Sequence, residues 1–159
     1  MNFRKLVFIA CMAFCFAAFA DNRLTMAMTA YEQGNYQQAY EQFSQLAQQD
    51  NAEAQYNLAF MYFGGDGIPQ DDVKAAFWFE KAAKLAHAGA QDTLAYMHLN
   101  GRALDASLVE AYAWYRVAAE NGIFLAKNVS ENLKKQMNVD ERLHADLLSS
   151  EYIKEYKKE

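Results

Sequence analysis

The segment AQYNLAFMY beginning at Ala54 recurs as AQDTLAYMH beginning at Ala90, an offset of 36 residues. The same offset carries Trp78 onto Trp114, Phe79 onto Tyr115, and Ala82-Ala83 onto Ala118-Ala119. A period between about 20 and 50 residues marks stacked structural units, each too small to bury its own apolar face. Stacks of this kind usually present a surface for binding and seldom a reaction centre.

Helix is the only regular element this sequence supports. There is a single proline, Pro69, and no run after residue 20 alternates apolar with polar residues. Alanine, glutamine, leucine and glutamate are frequent, and breakers are confined to a few points. The breakers predict helices over about 22–33, 36–49, 52–63, 71–86, 88–100, 107–121, 124–136 and 140–156. Gly34, Gly101 and Gly122 act as stops, and Pro69 closes the glycine-rich loop that starts at Gly64. In the third helix Gln55, Leu58, Ala59 and Tyr62 share one face, while Tyr56, Phe60 and Phe63 form a second apolar stripe. One stripe has to pack inside its own helix pair, the other against a neighbour or along an open groove. Ala82-Ala83 and Ala118-Ala119 let helices approach closely beside Trp78 and Trp114. Truncating a buried indole there to alanine is expected to cost about 3–5 kcal/mol.

The first twenty residues read as a secretory signal peptide. Arg4 and Lys5 precede an uncharged apolar run from Leu6 to Ala20 that closes on Ala18-Phe19-Ala20, with cleavage expected between Ala20 and Asp21. The run is shorter than the roughly 18 residues of a spanning helix, so no stable membrane insertion is expected after cleavage. Cys11 and Cys15 both lie in this leader, which leaves the mature chain without disulfides, thiolate ligands or a cysteine nucleophile. Net charge is −5, and −7 once Arg4 and Lys5 are removed. That acidity excludes a nucleic-acid partner, because phosphates require a basic footprint.

The two units, with Leu58 and Tyr62, Gly65-x-Gly67-Ile68, Asp71, Lys74-Ala75, Trp78-Phe79 and Lys81-Ala82-Ala83 in the first, resemble Sel-one-like repeats, relatives of the tetratricopeptide repeat. The second keeps Leu94, Gly101, Ala111, Trp114-Tyr115, Ala118-Ala119 and Gly122. It departs at His98 for the tyrosine, Ala103 for the second glycine and Ser107 for the aspartate. Upstream, Gly34-Asn35-Tyr36-x-x-Ala39-x-x-x-Phe43 is similar to the middle of a tetratricopeptide repeat. The resemblance implies an all-α, right-handed α-α superhelix, a solenoid of antiparallel helix pairs. After a signal peptide at 1–20, a single repeat domain spans 21–159. It divides into a tetratricopeptide-like unit (21–51), repeats at 52–87 and 88–122, and C-terminal capping helices at 123–159.

No catalytic, cofactor-binding or metal-binding residues stand out, and the chain is read as a non-enzyme that needs no cofactor. His87, His98 and His144 lack the spacing of a metal pair on one helix, and His98 is assigned to packing. The loop from Gly64 to Asp72 lacks the alternating oxygen ligands of a calcium loop. Asn128-Val129-Ser130 falls inside a predicted helix and is discounted as a glycosylation acceptor. Enzyme activity on cell-wall-type substrates belongs to cysteine-rich members of the class, and this mature chain has no cysteine.

By the same resemblance, the first helix of each pair lines a concave face that grips a protein or peptide. The positions selected are Leu24, Met28 and Tyr31, then Tyr56, Phe60 and Phe63, then Asp92, Tyr96 and Leu99. Tyrosine and methionine suit binding through large contact area and adaptable packing. Phe60 and Phe63 serve equally well as packing against the neighbouring repeat. The expected function is an exported, periplasmic or secreted scaffold or adaptor. An immunity or inhibitor protein against an envelope-targeted toxic effector is the alternative in the same class, and a small envelope-glycan enzyme the alternative from another.

Overall fold

Eight α-helices and no strand make up residues 22–158, the part of the chain that the computed structural model describes. Helix α1 covers 22–32 and is followed by α2 (Tyr36–Ala47), α3 (Ala52–Gly64), α4 (Asp72–Lys84), α5 (Ala88–Asn100), α6 (Leu108–Glu120), α7 (Phe124–Gln136) and α8 (Val139–Tyr156). Together they form an all-α helical-repeat superhelix. The leader, its cleavage point and both cysteines lie outside the described residues.

Side-chain caps set the helix starts. Asn51, Asp71 and Ser107 each accept a hydrogen bond from the backbone N–H three residues on, at 2.8, 3.0 and 3.1 Å. Each thereby satisfies one of the four unpaired N–H groups of a first turn. Ser107 thus does the work of Asp71, and the sequence departure there costs the second repeat no cap. At the other end Gly65 and Gly101 take left-handed conformations that stop α3 and α5.

Two helices end sooner than their propensity suggests. α2 stops at Ala47 and α4 at Lys84 because Asp50 and Ala86, 36 residues apart, adopt positive φ of 57° and 60°. The next position in the series is Gly122, at φ 104°. Gly122 favours this conformation and Asp50 tolerates it, so Ala86 is the position where packing between helices imposes the turn.

Two apolar clusters form the core. One lies around Phe43, with Ala39, Leu46, Leu58 and Met61; the other lies around Phe79, with Leu94, Tyr112, Trp114 and Tyr115. Buried glutamines recur with the period: Gln55 Nε2 donates to the Ala47 carbonyl and Gln91 Nε2 to the Ala83 carbonyl, both at 3.0 Å. Each fastens the first helix of a repeat to the end of the helix before it.

The last two helices depart from the repeat pattern, since both pack chiefly on α6, and α8 also reaches α4. α8 lays Tyr152 and Tyr156 on Trp114, at centroid distances of 4.7 and 5.5 Å. Trp114 is buried as a result, whereas Trp78 is only half-buried.

Candidate partner-binding groove

The inner stripe of α3 is held in place from below. Phe79 on α4 packs under Tyr56, Phe60 and Phe63, with centroids at 5.9, 5.0 and 6.1 Å and rings set edge to face. A Cβ at Gly89 would come within 3.0 Å of Tyr56 Oη, so the missing side chain lets this tyrosine lie against the first turn of α5. Tyr56 also stacks on His87 at 4.3 Å. His87 Nδ1 accepts the Ala90 N–H, which leaves the proton on Nε2, and Nε2 donates to Glu53 Oε2 at 3.1 Å.

On α5 the offset places Asp92, Tyr96 and Leu99 at the positions of Tyr56, Phe60 and Phe63. Tyr115 replaces Phe79 beneath them. Burial pushes its hydroxyl up to about 12, with the nearby Asp92 and Tyr96 adding to the effect. Asp92 itself is half-buried, and among the described residues it has no hydrogen-bond or ion-pair partner. Burial alone raises its pKa. Tyr96 is 46 % exposed.

Not every expected groove residue is equally free. Phe60, Phe63 and Leu99 are partly buried against the Phe79 cluster, so much of their surface serves packing. Phe63 also lies 3.6 Å below the Arg102 guanidinium. Leu24 and Tyr31 belong to the N-terminal cluster instead. Tyr31 donates to Asp66 Oδ2 at 2.6 Å, and that bond, with burial, pushes its hydroxyl up to about 12. Met28 stands exposed on α1. The arrangement therefore brings Tyr56, Asp92 and Tyr96 together on α3 and α5 and leaves Met28 and Tyr31 on a separate stretch. Sequence reasoning did not pick out Glu53, His87 or Tyr115; for Tyr115 the signal was its match to Phe79 across the repeat.

Among the described residues, no group of three or more His, Cys, Asp and Glu side chains is placed to hold a metal. No described helix is long and apolar enough to cross a membrane.

Residues 52–87 and 88–123 match the Sel1 repeat family. This chain is a Sel1-like repeat protein. A protective antigen of uropathogenic Escherichia coli displaying an SLR fold is similar over 86 % of this chain and 30 % of its own, with 27 % identity and a TM-score of 0.80. A Sel1 repeat protein from Oxalobacter formigenes is similar over 81 % of this chain and 55 % of its own, with 27 % identity and a TM-score of 0.67. The Sel1-like chain thus spans about a third and about half of these two structures. No curated protein matches it.

Proposed function

We propose that this Sel1-like protein is an exported, non-catalytic adaptor that holds a protein or peptide segment along the inner faces of α3 and α5. The observation that carries this reading is Asp92, a half-buried carboxylate with no partner among the described residues, flanked by exposed Tyr96 on its own helix and Tyr56 across the groove. An unpaired charge of this kind lowers stability unless something binds it. A lysine or arginine of a bound segment supplies the missing charge, and the tyrosine rings supply cation–π contacts and apolar area. Export rests on the basic start and the apolar run that ends at Ala20.

The test is affinity capture from envelope extract with wild type, Tyr96→Ala and Asp92→Asn, all of unchanged helicity. Tyr96 is preferred to Tyr56 because Tyr56 also packs on His87 and Gly89. A partner retained equally by all three proteins places binding elsewhere.

A further inference from the structure

The outer side of the stack carries a second surface, made legible by the chain's own last helix. α8 docks beside a cavity of about 280 Å³ whose lining includes Leu94, His98, Leu104 and Trp114. Shifted back by 36 residues, these become Leu58, Tyr62, Ile68 and Trp78, which pack together in the N-terminal cluster. The first unit therefore repeats the seat on which Tyr152 and Tyr156 rest in the second. Tyr40 of α2 meets the Tyr62 edge of this seat at 6.1 Å. Among the described residues, however, the one ring paired with Trp78 is the neighbouring Phe77, itself 51 % exposed, where Trp114 carries two rings of α8.

The polar positions point the same way. Gln91 Nε2 and Asn121 Nδ2 both donate to the Tyr156 carbonyl of α8, at 3.1 and 3.0 Å, and Gln91 Oε1 accepts from Asn121. The counterparts are Gln55 and Leu85. Gln55 Oε1 is buried without a partner, and Leu85 is exposed. Ser44 Oγ, the counterpart of Glu80 in the cavity lining, is likewise buried and unpartnered.

Charge differs between the two seats, and that difference specifies the occupant. Glu110, which accepts from the Tyr152 hydroxyl at 3.2 Å, is replaced by Lys74. Among the described residues Lys74 has one ion pair, an exposed one with Asp71, and it lies 5.2 Å from the Tyr62 ring centre. Lys81 sits over Phe77 and Trp78 at 5.5 and 5.6 Å, with no carboxylate paired to it among the described residues. We propose that the outer groove around Trp78 takes an acidic amphipathic helix of a partner protein, with an aromatic side chain on Trp78 and a carboxylate facing Lys74 and Lys81.

The probes are two synthetic peptides copying residues 139–158, one with the native sequence and one carrying Tyr152→Glu. Each is titrated into the full ¹⁵N-labelled protein while the two indole N–H signals are followed. The Glu peptide should shift the Trp78 signal saturably and bind about two- to fivefold more tightly than the native peptide, a preference that Lys74→Glu should reverse. Lys81→Glu provides the same reversal from a second exposed position. The proposal fails if neither peptide moves Trp78, or if the shifts fall on Trp114 because the peptide displaces α8. It fails equally if the charge reversals leave the order unchanged. Concentration-dependent association of the protein alone, with Trp78 shifting, would make the occupant a second copy of this chain and overturn the partner helix.

Discussion

Arg102 grips Asp72 with two nitrogens, Nε to Oδ2 at 2.7 Å and Nη2 to Oδ1 at 2.9 Å, while its guanidinium lies 3.6 Å from the centre of the Phe63 ring. The loop after α5 is thereby tied to the start of α4 and the end of α3, across the boundary between repeats. Arg102→Ala should lower stability by about 1–2 kcal/mol, from the lost fork and the lost cation–π contact, after allowing for side chains that are each 31 % exposed. Arg102→Lys should recover less than half, because a lysine cannot reproduce the fork. A urea midpoint for Arg102→Ala equal to wild type would show that the clamp contributes nothing.

The same pair gives a pH signature. The Arg102 hydrogen bond holds the Asp72 carboxyl below the usual carboxylate range. A depressed folded pKa stabilises above the unfolded value of about 3.9 and loses that stabilisation as pH falls through the folded value. The Arg102→Ala penalty should therefore be constant near neutrality and fade in acid below about pH 4. Urea midpoints for both proteins across that range check it, and a penalty that persists unchanged would assign the effect to packing on Phe63.

Gly67 and Ala103 occupy the same place in the two repeat loops, both at positive φ, 71° and 59°. A Cβ on Gly67 would fall 2.3 Å from Tyr36 Cβ, so Gly67→Ala should destabilise by about 2 kcal/mol or more through strain and collision together. Ala103→Gly should act in the opposite sense, raising stability by up to about 1 kcal/mol as the left-handed penalty is relieved. Thermal unfolding of the two variants should give shifts of opposite sign.

The two tryptophans should separate sharply. Trp114→Ala removes a buried ring stacked under α8 and should cost about 3–5 kcal/mol. Trp78→Ala, at a half-buried site, should cost about 1–2 kcal/mol. Equal penalties would mean that α8 does not cover Trp114 in solution.

Asp92 should trade stability for binding. Burial raises its pKa, so its ionised form opposes folding and that cost is full at pH above the folded value. Asp92→Asn should gain about 0.5–1 kcal/mol at neutral pH, and the gain should shrink in acid as Asp92 takes up a proton. A loss of stability at pH 7 would mean that the carboxylate has a partner in the folded protein.

Much of this was legible in residue order. The match of 54–62 to 90–98 located the repeat, and Gly34, Gly101, Gly122 and Pro69 bounded helices to within a few residues. The inner face was legible because helical spacing puts Tyr56 and Phe60, or Asp92 and Tyr96, on one side. What spacing did not reveal is which of those side chains are free. Phe60 and Phe63 lean on Phe79 and Arg102, residues far along the chain, while Tyr96 stays open. The early ends of α2 and α4 were hidden for a similar reason, since nothing local in Ala86 asks for a positive φ.

Periodicity by itself determined the class of fold, because a unit of 36 residues buries its apolar faces only by stacking on its neighbours. Only tertiary structure decided that α8 covers Trp114 while Trp78 remains half-open. The two tryptophans hold the same place in the repeat, and their difference in burial came from where the end of the chain packs.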